Sequence, residues 1–540
     1  MKISLAQLNY HTGNFEQNIS KIVETIQNCS GSSDLVVFSE LSICGYPPRD
    51  FLEFEHFLDK VEEGISAIAR HCMGIHAIIG APARNLTGKG KPLFNTAYVL
   101  GEGKILGKVA KTLLPTYDIF DEYRYFEPNR IFECIEIKGK KIALTICEDL
   151  WNVDDIPLYY ENPMDELFKA EPDLMVNIAA SPFSQGQSER RTEILRKNTQ
   201  RYKLPIVYVN HVGAQTELLF DGDSRVVNAS GETILKLPYF EECVETIDLD
   251  EGKPVVTEPP KDIALIHDAL VLGIGDYFTK LGLKKATLGL SGGIDSAIVY
   301  VLACRALGAE NVLPVLLPSQ YTHTKSVSEA EQLAKNLGSE YKIIPIKSIY
   351  DSFENELTPH FEGLKSDVTE ENLQARSRGV LLMALSNKLG YILLNTTNKS
   401  EMSVGYGTLY GDLCGGLSVI GDVYKTQVYE LAEYINRHEE VIPRFIIDRP
   451  PSAELKEDQK DTDSLPDYDT LDPLLTAYVE DRKGPQELIE MGFDEVLVKR
   501  VIKLVNNSEW KRHQTAPILR VSSKAFGMGR RMPIVARYLS

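Results

Sequence analysis

The chain has 540 residues, 43% of them hydrophobic and 25% charged, and a formal net charge of −19. That length exceeds what one hydrophobic core serves and predicts two domains or three. The acidic balance argues against a protein that wraps nucleic acid or rests on an anionic membrane. Eight cysteines without a CxxC pair form no disulfide framework, so a reducing compartment, the cytoplasm, is expected. The opening "MKISLAQLNYHTGNFEQN" turns polar too early for a signal peptide. No apolar run approaches the roughly eighteen residues of a membrane span.

In chain order, residues 1–250 alternate short apolar strands with amphipathic stretches. "DLVVFSEL" (34–41), "HAIIGAP" (76–82), "KIALTIC" (141–147), "DLMVNIAAS" (173–181) and "LPIVYVNHVG" (204–213) read as strands. Their Val and Ile content predicts α/β layering with largely buried strands. "EGKPVVTEPPKD" (251–262) carries three prolines and no periodicity, and reads as an interdomain linker. The expected limits are a first domain over 1–250, a linker over 251–265 and a second domain over 266–540. A helical pattern begins near Ala264. The strand "ATLGL" (286–290) then feeds "SGGIDS" and a long helix over 297–308, a second α/β unit of nucleotide-binding type. The acidic stretch 454–473 reads as irregular, either a solvated loop or a mobile segment over an active site.

Three strand ends in the first half carry chemistry. Glu40 ends "DLVVFSEL", Lys111 follows a strand in "GKILGKVAKTLLPTYDIFDE", and Cys147 ends "KIALTIC" just before Glu148 and Asp149. Groups at the carboxyl ends of strands in α/β sheets converge on one crevice. Acidic neighbours raise a thiol's pKa, so Cys147 needs an activator. A buried glutamate can take its proton, and a lysine can hold that glutamate ionised and face an oxyanion.

These residues and the words around them ("FSELSICGYPPRD", "VAKTLLPTYDIFDEYRYFEP", "TICEDLW") resemble the nitrilase superfamily and its Glu–Lys–Cys triad. The resemblance implies a four-layer αββα sandwich and hydrolysis of a carbon–nitrogen bond through a thioester. The "CEDLW" form is similar to the superfamily's glutaminases, which implies a glutamine pocket lined by Tyr117, Glu148, Ser181 and Gln187. The family often has a basic residue where this chain has Gln187, which leaves Arg190 or Arg191 as substitutes.

In the second half, "LGLSGGIDSAIV" (288–299) lies between a strand and a helix. Gly292 and Gly293 let the backbone approach a phosphate, Ser291 and Ser296 offer hydroxyls, and the helix offers free N–H groups. Asp295 would repel phosphate unless it holds Mg²⁺. The absence of GxxxxGK[ST] counts against γ-phosphate transfer. SGGxDS resembles the loop of Rossmann-like ATP-pyrophosphatases, which activate an oxygen as an adenylate. "LPSQYTHTKSVSEA", "NLQARSRG", "LLNTTNKSEMSVGYGTLYGD", "GDVYKTQVYELA" and "RPPSAEL" resemble the NAD⁺ synthetase family, and with the first half its two-domain, glutamine-dependent form.

That resemblance implies ATP contacts from Gly289, Leu290, Ser291, Gly292, Gly293, Ile294, Asp295 and Ser296, and from Thr396, Lys425 and Ser452. It implies Mg²⁺ at Asp295 and Glu401, and deamido-NAD⁺ contacts from Asn372, Arg376, Glu401 and Lys511. The implied partners are small molecules (deamido-NAD⁺, ATP, L-glutamine or ammonia) and further copies of the chain in a homo-oligomer. Two other readings compete. Synthetases that make GMP or asparagine pair the loop with a Cys–His–Glu glutaminase or an N-terminal cysteine, whereas position 2 here is Lys2. A non-catalytic nucleotide-binding protein would not be expected to keep Glu40, Lys111, Cys147 and Asp295 intact.

Overall fold

The computed structural model describes every residue except 257–259, 458, 460, 464, 539 and 540. Two units divide it, Met1–Pro259 and Pro260–Ser540. In the first, β1 (Lys2–Gln7), β2 (Leu35–Phe38), β3 (His76–Arg84), β4 (Leu93–Gly101) and β5 (Lys104–Ala110) belong to one sheet. β6 (Ile135–Ile137), β7 (Lys140–Ile146), β8 (Leu174–Ile178) and β9 (Ile206–Val209) belong to a second. A hairpin of β10 (Val212–Gln215) and β11 (Leu218–Asp221) leads to β12 (Arg225–Val227) and β13 (Thr233–Lys236), which complete that second sheet. β14 (Cys243–Asp248) returns to the first sheet, antiparallel to β1. The two six-stranded sheets run β14-β1-β2-β3-β4-β5 and β13-β12-β9-β8-β7-β6.

The central strands β2, β8 and β9 are buried at every position because both their faces are covered, whereas the edge strands β5 and β14 are not. Ile3, Leu5, Val37, Ile78 and Val99 of the first sheet share a core with Ile142, Leu144, Ile146, Val176 and Val207 of the second. Helices Phe15–Cys29 and Glu55–Ala69 cover the outside of the first sheet, and Pro163–Phe168 and Gln187–Tyr202 that of the second. The result is the αββα sandwich. Helix Phe15–Cys29 buries Asn18, Ile22, Ile26 and Cys29, a stripe at helical spacing, and Asn14 caps its start by accepting from the Gln17 N–H at 3.2 Å.

The second unit has a five-stranded parallel sheet of β15 (Ala286–Gly289), β16 (Val312–Leu316), β17 (Lys342–Ile343), β18 (Ile392–Asn395) and β19 (Leu417–Ser418). Its order is β17-β16-β15-β18-β19, so successive crossovers leave β15 in opposite directions and open a switch point beside its carboxyl end. Helix Ile294–Leu307 follows β15 and is buried on every side from Ser296 to Ala303, which explains why "AIVYVLA" has no polar face. Helix Asp262–Lys280 starts inside the stretch read as linker, 251–265. Its own apolar positions, Leu265, Ile266, Ala269 and Leu270, pull that end into the second core. The acidic stretch 454–473 is not irregular throughout. Asp467 caps a helix, Tyr468–Leu475, whose Leu471, Leu474 and Leu475 are buried. Among the described residues, no helix is long and apolar enough to cross a membrane.

Candidate active site

Glu40 lies two residues beyond β2, Lys111 directly follows β5, and Cys147 directly follows β7. All three are buried. Lys111 Nζ stands 2.8 Å from Glu40 Oε1 and 2.8 Å from the Glu122 carboxylate. Glu40 also accepts from Asn95 Nδ2 at 2.6 Å and from the Ala180 N–H at 3.0 Å. Burial alone would lower the Lys111 ammonium, but Glu122 and Glu40 outweigh it and hold Lys111 well above its usual range. Burial pushes the Cys147 thiol well above its usual range, Glu40 adds to that, and Lys111 opposes it. Cys147 is therefore a neutral thiol at rest, beside a carboxylate that can take its proton.

Cys147 has a φ of 45°, in the left-handed region, at the start of the short 3₁₀ turn Cys147–Leu150. Such a conformation persists in a non-glycine residue when its surroundings over-determine it. Asp149 does much of this: its carboxylate accepts the N–H of Ile146 at 3.0 Å, of Thr112 at 3.0 Å and of Leu113 at 2.8 Å. One side chain thus ties the turn at Cys147 to the backbone beyond Lys111. Asn177 Nδ2 donates to the Cys147 carbonyl at 3.4 Å.

Beside the triad is a cavity of about 150 Å³ lined in part by Tyr117, Glu148, Trp151, Asp154, Tyr159 and Arg190. The hydroxyls of Tyr117 and Tyr159 donate to Glu148 at 2.9 and 3.0 Å, and burial raises the Glu148 carboxyl. Ser181 is buried one strand away, its N–H bonded to Asn210 Oδ1 at 2.8 Å. Gln187 opens the helix Gln187–Tyr202 and is not among the lining residues. Arg191 is buried and clamped by Asp221 at 3.0 Å and Asp223 at 2.9 Å, a structural ion pair.

The second centre surrounds the loop after β15. Gly292 has a φ of 82°, and a Cβ there would lie 2.4 Å from the Ser326 carbonyl oxygen. Only glycine satisfies both conditions. Ser291 Oγ and Ser296 Oγ are 3.1 Å apart, and the Gly293 N–H donates to Ser291 Oγ at 3.2 Å. A cavity of about 270 Å³ joins Gly289–Ser291 and Gly293–Ser296 with Thr396, Glu401, Lys425 and Ser452, drawn from four separate stretches of sequence. Asp295 accepts from Asn398 Nδ2 at 3.0 Å and pairs with Lys425 Nζ, which is 3.8 Å from Glu401. Burial and then Asp295 push Glu401 well above the usual carboxylate range, with Lys425 opposing.

Asn372, Arg376 and Lys511 lie off that lining and meet on the segment 405–412. Asn372 Oδ1 accepts from Thr408 Oγ1 at 2.7 Å, Arg376 Nε donates to the Leu409 carbonyl at 3.2 Å, and Lys511 Nζ donates to the Gly405 and Gly407 carbonyls at 2.9 and 3.0 Å.

Residues 2–255 match the carbon-nitrogen hydrolase family, and residues 266–515 the NAD synthase family. A glutamine-dependent NAD(+) synthetase of Synechocystis is 44% identical, with 99% of each chain covered. One of Thermotoga maritima is 40% identical over all of this chain and 99% of its own. The chain belongs to the glutamine-dependent NAD(+) synthetase family. A solved member from Acinetobacter baumannii, in complex with ADP, is 39% identical and superposes with a TM-score of 0.79 over 99% of this chain and 98% of its own. One from Cytophaga hutchinsonii, 20% identical, shares the fold with a TM-score of 0.85 over 99% of this chain and 98% of its own.

Several functional groups escape sequence reasoning. Glu122 lies among Asp118, Asp121 and Glu127, and nothing in the spacing tells which carboxylate turns inward; the 3₁₀ turn Glu122–Arg124 decides it. Asn95 bonds Glu40, and Asp149 bonds the distant N–H groups of Thr112 and Leu113 as well as that of Ile146, contacts that no local spacing announces. Asp461 lines the second cavity, accepting from Tyr406 and Tyr468 at 3.2 and 3.0 Å, within a stretch whose acidity reads as solvation. Arg378, also lining it, donates from Nε to the Leu317 carbonyl at 3.0 Å.

Proposed function

We propose that this chain performs its family's reaction with the two centres described above: ATP-dependent amidation of deamido-NAD⁺ to NAD⁺, with ammonia from L-glutamine, yielding AMP, diphosphate and glutamate. In the first centre Glu40 takes the Cys147 proton as Sγ attacks the side-chain amide carbon. Lys111 faces the developing oxyanion, and the proton passes to the departing ammonia. Water activated by Glu40 then releases glutamate from the thioester. Tyr117, Glu148, Ser181 and either Gln187 or the nearby Arg190 are the proposed glutamine contacts.

In the second centre the nicotinate carboxylate of deamido-NAD⁺ attacks the α-phosphorus of ATP, and pyrophosphate leaves. Ammonia then attacks the acyl carbon and AMP leaves. The loop Gly289–Ser296, Thr396, Lys425 and Ser452 are the proposed ATP contacts, and Asn372, Arg376, Glu401 and Lys511 those of deamido-NAD⁺. Mg²⁺ fits Asp295 and Glu401: they are hard oxygen donors, and Asp295 raises the Glu401 pKa, so a cation there relieves their repulsion. Among the described residues no group of three or more His, Cys, Asp or Glu is arranged to hold a metal. An ion held by two carboxylates, phosphate oxygens and water needs no third. When bound, it would neutralise charge on the transferring phosphates.

The observation that carries this reading is the Glu40–Lys111 pair, 2.8 Å apart and fully buried at the strand ends that flank Cys147. Eight free cysteines suit a cytoplasmic protein. A homo-oligomer is part of the proposal, supported by Val380 and Met383, exposed about one turn apart on helix Val368–Leu389. Light scattering tests it.

The decisive experiment supplies ATP, Mg²⁺, glutamine and deamido-NAD⁺ and assays NAD⁺. No NAD⁺, or pyrophosphate release with XMP or aspartate but none with deamido-NAD⁺, overturns the reading.

A further inference from the structure

Position 187, where the glutamine pocket proposed above meets its helix, is an uncharged glutamine. A free amino acid brings an α-carboxylate, and leaving that group without a donor in a partly enclosed pocket costs affinity. Among the described residues lining this cavity, Arg190 is the cationic one. It lies three positions beyond Gln187 in the same helix, on the same face. Helical side chains lean toward the N-terminus, so a long side chain at 190 covers the turn in which Gln187 sits.

Arg190 is only half-buried, whereas Arg191 is sealed between Asp221 and Asp223. It pairs with Asp154 and, from Nη1, with Glu193 at 2.9 Å. Asp154 lines the same cavity. Lys197 bonds Asp154 at 2.9 Å and Glu193 at 2.8 Å, so both acids keep a cation when Arg190 turns to another anion. A guanidinium has five N–H donors, and the two pairs leave donors over for a planar carboxylate. Glu148, which lines the same cavity, provides a carboxylate for an α-ammonium group. A cation on one wall and a carboxylate on another complement a zwitterion.

We propose that Arg190 binds the α-carboxylate of glutamine in this chain, in place of the residue at 187, and so sets the pocket's preference for a free α-amino acid. The proposal rests on the glutaminase reading of this site.

The test compares two amides: L-glutamine, and 4-aminobutanamide, which is glutamine without its α-carboxylate. Ammonia release from each is followed with the wild-type protein, Arg190→Gln, Arg190→Lys and Gln187→Ala. Arg190→Gln is expected to raise the glutamine KM by about 10- to 100-fold, the range for a hydrogen bond to a charged group. Its kcat should change little and its 4-aminobutanamide kinetics hardly at all. Arg190→Lys should restore part of the loss. NAD⁺ synthesis from ammonium reports folding of the second unit, and the ratio of the two amides is independent of how much first unit is folded. If Arg190→Gln keeps the wild-type ratio, or lowers both substrates alike, the proposal is wrong. It is equally wrong if Gln187→Ala abolishes the preference while Arg190→Gln does not. Failure of the wild type to hydrolyse L-glutamine would instead remove the glutaminase reading itself.

Discussion

Glu122 shares the Lys111 ammonium with Glu40, its carboxylate also 2.8 Å from Nζ in a site closed to solvent. Two carboxyl groups share one ammonium, so Lys111 does not belong to Glu40 alone. Replacing Glu122 by Gln leaves Glu40 as the sole carboxylate on Lys111 and removes the larger of the two charges that hold this ammonium protonated and in place. Glutamine-dependent NAD⁺ synthesis should fall about 10²-fold or more through kcat, on the scale of one general-base contribution. Synthesis from ammonium should be unchanged. Steady-state assays with the two nitrogen sources check this, and a wild-type kcat with glutamine would refute it.

Cys147→Ala should separate the two activities more sharply. Loss of a covalent nucleophile removes on the order of 10⁶ in rate when it acts within a triad. Synthesis driven by high ammonium, at a pH that supplies free NH₃, should persist. Equal loss of both would mean Cys147 serves packing alone.

Asp295→Asn should abolish synthesis from either nitrogen source while glutamine hydrolysis survives, because the carboxylate inside a phosphate loop is what a cation requires. Chelation with EDTA should reproduce the same pattern in the wild-type protein, reversed by added Mg²⁺. Synthesis at near wild-type rate in either case would remove the metal role.

Gly292→Ala places a methyl group 2.4 Å from the Ser326 carbonyl at a backbone angle that disfavours side chains. Nucleotide affinity, measured by calorimetry, should drop at least tenfold while hydrolysis of glutamine is retained. Unchanged affinity would mean the loop tolerates rearrangement.

The Asp149 carboxyl is pushed up to about 7 by burial, against the three N–H groups that lower it. An aspartate in the unfolded chain releases its proton near pH 3.9. The folded protein therefore binds more protons between those values, and this group's stabilising contribution is full at low pH and lost as pH rises through about 7. The slope is at most about 1.4 kcal/mol per pH unit. Asp149→Asn lacks it, so the variant's deficit in melting temperature relative to wild type should shrink from pH 5 to pH 7.5. Parallel melting curves would rule this out.

Much of this was legible beforehand. Strands with buried faces announce themselves by composition: "LVVF" and "LMVNI" are buried at every position in β2 and β8. Residues at strand ends inherit their place from the strand, which puts Glu40, Lys111 and Cys147 in reach of one crevice, but their reading as a triad rests on the resemblance of the words around them. The Gly292 loop was readable because a phosphate cradle demands backbone without side chains. What was hidden depends on turns and on partners remote in sequence. Glu122 reaches Lys111 through a 3₁₀ turn, and Asp461 lies near Lys425 from an acidic stretch in which a helix, Tyr468–Leu475, was not anticipated. The helical pattern read from near Ala264 begins at Asp262, an acid suited to a helix N-terminus, so the stretch read as linker to 265 overlaps its first turn.

The proposed acid–base pair and the proposed nucleophile come from different sheets. Glu40 and Lys111 follow β2 and β5 of the first, Cys147 follows β7 of the second, and Asp149 joins them through the backbone N–H groups of Thr112 and Leu113. During refolding, a first sheet formed alone holds Glu40 and Lys111 without Cys147, and the second alone holds Cys147 without them, so on the proposed reading neither hydrolyses glutamine. Recovery of glutaminase activity is thus a clock for the docking of one sheet on the other, later than any signal from secondary structure.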